Sequence, residues 1–398
     1  MNAPQRFSGL PDYAFPRLRT LLADVAPGAD DPVQMTIGDP RHAPPDFVGP
    51  IIAANADRFM SYPVNDGIPE LLEACADWVG RRYGVDLDPE ANLMALNGTR
   101  EGLYNAAMAL CPESKNRRVP VVLTPNPFYQ VYAVASLSVG AEPVYVDATE
   151  ASGHLPDYAA LPADVLDRTA IAYVCSPANP QGAVATMAYW TDLLALAERH
   201  DFTIFADECY AEIHRGTPPP GILEAVARAG ADPDRVVAFH SLSKRSNLAG
   251  LRSGFVASGA GNISRIRQLR AYAGAPLPTP LQMAAAKVWD DDAHVEVNRA
   301  LYDAKFADAA AILDGVPGVT MPPAGFFLWL PVPAGVGTGE DATVKAWSEA
   351  GVMVLPGAYL ARDGGAGNPG ERFVRAALVA PREDTARGLT RLRDCIYG

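Results

Sequence analysis

Cysteine and basic charge are both in short supply in this 398-residue chain. The five cysteines, Cys75, Cys111, Cys175, Cys209 and Cys395, form an odd, scattered set with no CxxC pair. That pattern argues against a disulfide framework and against a thiolate metal site, so no metal is expected; free thiols suit a reducing compartment. Lys and Arg number 33 against 46 Asp and Glu, a net charge of −13. The densest basic cluster, Lys115, Arg117 and Arg118, is too short for the basic stripe that grips nucleic-acid phosphates and reads as a solvated loop. No run of about 18 apolar residues occurs, so no membrane-spanning helix is expected; the apolar stretch Gly325–Val336 is short and broken by Pro331 and Pro333. Met1–Leu18 holds three prolines and no apolar core of a secretory signal, which points to a cytoplasmic protein.

What is present is ordinary globular material, 49% hydrophobic and 20% charged, in a chain long enough for two domains. Short, continuous apolar runs alternate with helical patterns. The runs Leu93–Leu96, Val119–Leu123, Glu142–Val146, Ala170–Cys175, Thr203–Ala206, Val236–Phe239 and Gly254–Ala257 read as strands buried on both faces. The alternation predicts an α/β fold, a mainly parallel seven-stranded sheet in a large domain spanning residues 45–290. A smaller α+β domain is expected from residues 1–44 and 291–398. It begins with one long helical pattern over Pro280–Leu313, then strands at Phe326–Leu330 and Phe373–Ala377 and a terminal helix near Arg382–Ile396. The segment Met1–Ile37 is expected to pack with that domain or across the active site.

In open α/β sheets, ligands bind beyond the carboxyl ends of the strands. Five predicted strand ends carry chemistry: Asn97-Gly98-Thr99-Arg100, Thr124 through Tyr129, Ser176 through Gly182, Asp207-Glu208-Cys209-Tyr210, and His240 through Lys244. Gly98-Thr99 opens a helix, which suits an anion but equally an ordinary helix cap. Ser241, Ser243 and Arg252 offer two hydroxyls and a guanidinium for a phosphate. Positive charge around Lys244 would favour its neutral amine, the form that attacks an aldehyde; the alternative is a solvated Lys and Arg. His240 and Cys209 are expected to point into the sheet, and His42 lies in a loop where it either packs or touches substrate.

The run SLSKRSNLAGLRSGF resembles the cofactor-lysine signature of the fold-type I, class I/II aminotransferases. SPANPQG is similar to their NPxNPTG loop, with Ser176 and Gln181 departing from it. ADECYAEI is similar to DExYxxI, SYPVNDGIPELLEA to YxxxxGxxxLR, and FVRAAL to the strand bearing the substrate-carboxylate arginine. The resemblance implies pyridoxal 5'-phosphate (PLP) as cofactor, bound as a Schiff base to Lys244, which then acts as the proton-moving base. Asp207 would pair with the ring nitrogen. Asn179 and Tyr210 would reach the phenolic oxygen, and Tyr129, with Phe128 as its rival, would stack on the ring. Gly98, Thr99, Ser241, Ser243 and Arg252 would hold the phosphate, with Arg100 beside them. Arg375 would clamp the substrate α-carboxylate, with Gly38 close to it. Tyr62 would reach the neighbouring subunit's cofactor, implying a homodimer with shared sites.

A narrower likeness lies in GDPRHAPP, PNPFYQVY, DDDAHVEVNR and VLPGAYLAR, which resemble the bacterial N-succinyldiaminopimelate aminotransferases of lysine biosynthesis. It implies exchange of an amino group between N-succinyl-LL-2,6-diaminopimelate and 2-oxoglutarate. Both are anionic, so Arg41, Arg100 and Arg245 are candidate partners for distal carboxylates. The alternatives are an aminotransferase for aspartate, aromatic amino acids or acetylornithine, or a β-lyase, since fold and cofactor do not choose among them. A non-catalytic effector-sensing domain of a regulator is disfavoured by the acidic charge and the absence of a helix-turn-helix pattern.

Overall fold

The computed structural model describes residues 7, 8, 10, 13–365 and 367–398. The expectation for Met1–Ile37 therefore falls partly outside the described residues. In chain order the strands are β1 Val33–Gln34, β2 Leu93–Leu96, β3 Val121–Asn126, β4 Glu142–Asp147, β5 Thr169–Cys175, β6 Thr203–Asp207, β7 Val236–Ser241, β8 Gly254–Ser258, β9 Phe327–Pro331, β10 Val352–Met353, β11 Leu355–Pro356 and β12 Phe373–Ala377.

Seven of them form one sheet in the order β2-β8-β7-β6-β5-β3-β4. The β4-β3-β5-β6-β7 run is parallel and β8 is antiparallel to both neighbours. Side chains alternate between two buried layers. Val236 and Ala238 join one core cluster while Val237 and Phe239 join the other; Ile204 and Ala206 part from Phe205 in the same way. Such strands read as unbroken apolar runs because both faces are covered. One face is roofed by helices including Pro69–Tyr83, Met187–His200 and Thr279–Asp290, the other by Thr99–Leu110 and Gln130–Ser138.

A second, antiparallel sheet has the order β11-β12-β9, and β1 pairs in parallel with β10. β1, β9, β10 and β12 share a separate core with the helix Arg382–Ile396, while Leu355 of β11 packs in a neighbouring cluster with Trp347 and Tyr359. Within the described part of the N-terminal segment, β1 joins this smaller assembly and Tyr13–Phe15 line the main cleft.

The long helix expected over Pro280–Leu313 is two helices, Thr279–Asp290 and Ala293–Ile312. The break sits at Asp291-Asp292, where the Asp291 carboxylate accepts the His294 N–H in the first turn of the second helix, a bond that favours a new N-terminus over continuation. Among the described residues no helix is long and apolar enough to cross a membrane, and no His, Cys, Asp and Glu cluster could hold a metal ion.

Candidate active site

Parallel pairing places Cys175 of β5 beside Asp207 of β6, and Asp207 beside Phe239 of β7. The strand ends therefore form one edge, and the chain segments that leave it line a cleft of about 420 Å³. Thr99, Arg100, Phe128, Tyr129, Asn179, Asp207, Tyr210, Ser241, Ser243, Lys244 and Arg252 line it from the large sheet. Gly38, Phe327, Leu355 and Arg375 close it from the other side.

Lys244 sits in the short helix Leu242–Arg245 that follows β7, and Ser241 caps that helix through its hydroxyl. Its ammonium donates to the Gly38 carbonyl. Burial, ahead of any neighbouring charge, pushes the amine down to about 8. Asp39 and Cys209 oppose this fall, and Arg375 and Arg252 add to it. The lysine thus spends a larger share of its time neutral than a surface lysine does.

Asp207 ends β6 and is buried. The Tyr132 hydroxyl donates to its Oδ2 at 2.7 Å. Burial raises its carboxyl above the usual range, while hydrogen bonds from Cys209 and Tyr132 pull it back. Among the described residues it has no ion-paired cation, which leaves room for a positively charged ring nitrogen.

At the other end, Ser243 Oγ lies 3.0 Å from Ser241 Oγ. Arg252 has left-handed backbone geometry and donates Nη1 to Ala249 O at 2.8 Å. Gly98, at φ +78°, is held there for a reason: a Cβ would stand 2.1 Å from Arg252 Nη2. The glycine lets the guanidinium lie over the start of the helix Thr99–Leu110, where free N–H groups favour an anion.

Across the cleft, Arg375 of β12 is buried. It donates Nη1 to Asn179 Oδ1 at 3.1 Å and Nη2 to the Thr36 carbonyl at 2.7 Å, while Nε has no partner. Burial pushes this guanidinium down to about 10. A buried cation with a free donor and no carboxylate is costly unless an anion completes it. Gly38 is a glycine because Phe327 Cζ would lie 2.5 Å from any Cβ. The donor set therefore fits an aromatic phosphate ester between Asp207 and Arg252, with a small carboxylate at Arg375.

Other expected residues fall elsewhere. Tyr62 lies outside the cleft and is fully exposed. Arg41 is exposed and does not line the cleft. Arg245 is buried behind the site, where Nη2 meets Asp292 Oδ1 at 2.7 Å and Nη1 meets Val288 O; it lies one residue along a helical turn from Lys244 and so points away. Of the three distal cations, only Arg100 lines the cleft, its Nε bonded to the Tyr129 hydroxyl at 2.5 Å. Phe128 packs into the core against Tyr145, leaving Tyr129 the freer ring. His240 packs in the strand as expected, among Trp78, Tyr83 and Phe255. Cys209 instead lines the cleft, its Sγ 3.0 Å from Thr99 Oγ1, because β6 has ended and strand alternation no longer applies. Tyr132 and Tyr13 were not expected. Tyr132 stands one helical turn beyond Tyr129, a spacing that could have exposed it; Tyr13 carries no such signal.

The family model for class I and II aminotransferases matches residues 30–392. An LL-diaminopimelate aminotransferase of Dehalococcoides mccartyi is 30% identical over 397 residues, covering 98% of each chain. An aminotransferase structure from Neisseria meningitidis shares 36% identity, with a TM-score of 0.93, over 98% of this chain and 99% of that one. A probable N-succinyldiaminopimelate aminotransferase from Thermus thermophilus shares 26% identity, with a TM-score of 0.83, over 96% and 100%.

Proposed function

The chain belongs to the class I and II aminotransferases, enzymes that use pyridoxal phosphate, and from that premise we propose that it exchanges an amino group between N-succinyl-LL-2,6-diaminopimelate and 2-oxoglutarate in the cytoplasm. When bound, the cofactor supplies a carbon on which amino groups are exchanged and a ring that accepts the electron pair left at the substrate Cα.

In this reading the chain's own residues do the rest. Arg375 takes the α-carboxylate in a two-bond fork, which fixes where the Cα–H points. Lys244, with its amine in the cleft, would hold the cofactor and would carry the proton to and from that carbon. Asp207, steadied by Tyr132, keeps the ring nitrogen protonated. Asn179 and Tyr210 hold the phenolic oxygen, and Tyr129 covers the ring. Gly98, Thr99, Ser241, Ser243 and Arg252 hold the phosphate.

The observation that carries the substrate choice is the charge of the lining. Arg375 at the back and Arg100 at the edge give guanidinium groups for the α-carboxylate and for one of the two further carboxylates of the succinylated donor. Among the described residues, Asp39 is the one lining carboxylate besides Asp207. An acylated distal nitrogen is neutral and needs no anionic partner. Free LL-diaminopimelate is the second reading, favoured by the Dehalococcoides relative, and Asp39 would then meet its distal ammonium. Both donors, offered side by side with 2-oxoglutarate, separate the readings. A kcat/KM at least about tenfold higher for the succinylated donor supports ours, because one lost charged contact is worth about that much. The reverse order supports the second.

The same proposal takes the enzyme as a homodimer of two-domain subunits, divided near residues 45 and 290. Phe59, Met60, Tyr62, Val64 and Tyr272 are large exposed apolar side chains of the kind a partner covers, and Tyr62 would extend into the other subunit's site.

A further inference from the structure

His42 was left between packing and substrate contact by the sequence, and its partners give it a different place. Its Nδ1 lies 2.8 Å from Asn298 Oδ1, and its Nε2 lies 2.8 Å from Lys305 Nζ. The neighbours fix which atoms carry hydrogen. Asn298 Nδ2 reaches the Lys244 carbonyl at 3.5 Å and the Arg245 carbonyl at 3.3 Å, which can only accept. Asn298 Oδ1 is therefore the acceptor end, and it also receives Asn247 Nδ2 at 3.1 Å. His42 Nδ1 must then carry the proton and Nε2 must be the bare nitrogen, accepting from Lys305.

Lys305 is buried, donates to Leu378 O at 3.1 Å, and meets no carboxylate among the described residues. The result is a directed chain of hydrogen bonds, Lys305 to His42 to Asn298 to the backbone of Lys244 and Arg245. Its second member, His42, lies four residues beyond Gly38, whose carbonyl receives the Lys244 ammonium. The segment Thr36–His42 is thus pinned at both ends: by the Arg375 bond to Thr36 O and by His42.

We propose that His42 and Asn298 are positioning residues for transamination, registering the Gly38 loop against the helical turn that carries Lys244 so that substrate meets a preformed wall. Neither touches the cleft; each acts through a segment that does. The physical reason is that a loop free to leave must be ordered again at each binding event, and that ordering costs affinity and leaves the bound chemistry alone.

The test uses the loaded holoenzyme and L-glutamate as probe, the amino-group donor implied by the proposed function. The wild type is measured first, so failure to react with glutamate counts against that reading and not against this one. Two quantities are followed: backbone hydrogen–deuterium exchange, which needs no substrate, and the glutamate half-reaction read from the cofactor's absorbance. In His42→Asn the side-chain amide nitrogen stands where Nδ1 stood and still reaches Asn298. In His42→Gln it reaches only the Nε2 position.

The expected result for His42→Gln and His42→Ala is exchange about tenfold faster in residues 37–43 and unchanged in β5 to β7. The half-saturating glutamate concentration rises about tenfold while the limiting rate stays within about twofold, the size expected for one buried hydrogen bond. His42→Asn recovers most of both. Equal behaviour of the Asn and Gln variants overturns the proposal, as does faster exchange spread over the whole chain or a fall in the limiting rate with half-saturation unchanged. Comparison of Asn with Gln stands even if the Ala variant does not fold.

Discussion

The two walls of the cleft are built in opposite ways. The wall proposed for the cofactor is a row of strand ends, where Asp207, Asn179 and Lys244 each sit within a few residues of the strand that aims them. The substrate wall is assembled from distant pieces: Arg375 meets Asn179 from 196 positions away and Thr36 from 339. The first wall rests on parallel strands already buried in the main core. The second depends on how a separate antiparallel sheet and the N-terminal segment dock. Chemistry common to a whole family can be placed on rigid local geometry, while substrate choice can vary with the parts that come together last.

Arg375→Ala breaks the comparison most strongly. It should lower kcat/KM for α-amino acid donors by about a hundredfold, roughly 2.7 kcal/mol, as expected when a charge-assisted fork is lost. The cofactor absorption spectrum should not change. A primary amine without an α-carboxylate should react equally well with both proteins. A comparable loss with that amine would mean that the arginine supports the cofactor wall too.

Lys244 gives a sharper test of the cofactor wall. Its amine is pushed down to about 8 by burial, and only the neutral form attacks an aldehyde. Uptake of pyridoxal phosphate by the apoprotein should therefore speed up about tenfold per pH unit below pH 8 and level off above it. In a stopped-flow series, a rise continuing to pH 10 would show an ordinary lysine.

The smallest effect is expected from Tyr132→Phe. Removing one hydroxyl from Asp207 leaves a buried carboxylate oxygen short of a donor, which costs about 1–3 kcal/mol when unrelieved. With the ring nitrogen placed beside Asp207, as proposed, the loss in kcat should fall at the low end, about fivefold. The pH dependence of kcat should shift, because Asp207 becomes easier to protonate. An unchanged profile would make Tyr132 a packing residue only.

The same contrast explains what was legible in the sequence. The seven large-sheet strands could be read because both faces are apolar, and their ends gave Lys244, Asp207 and Asn179. Arg375 was found through resemblance alone; as one charged residue in a five-residue strand it carries no local mark. Arg41 and Arg245 were misplaced because loop position does not say which way a side chain turns, and Arg245 turned toward Asp292. The break at Asp291 was hidden by continuous helical periodicity on both sides of it. β1, β10 and β11, two residues each, are too short to leave a pattern.

The proposed chemistry rests on Lys244 as the residue that holds the cofactor. Borohydride reduction of the yellow holoenzyme, followed by peptide mass spectrometry, tests it directly. One pyridoxyl group per chain is expected, on the peptide containing Lys244, and no labelling in Lys244→Ala. A tag on Lys305, Lys115 or any other lysine, with Lys244 unmodified, would contradict it.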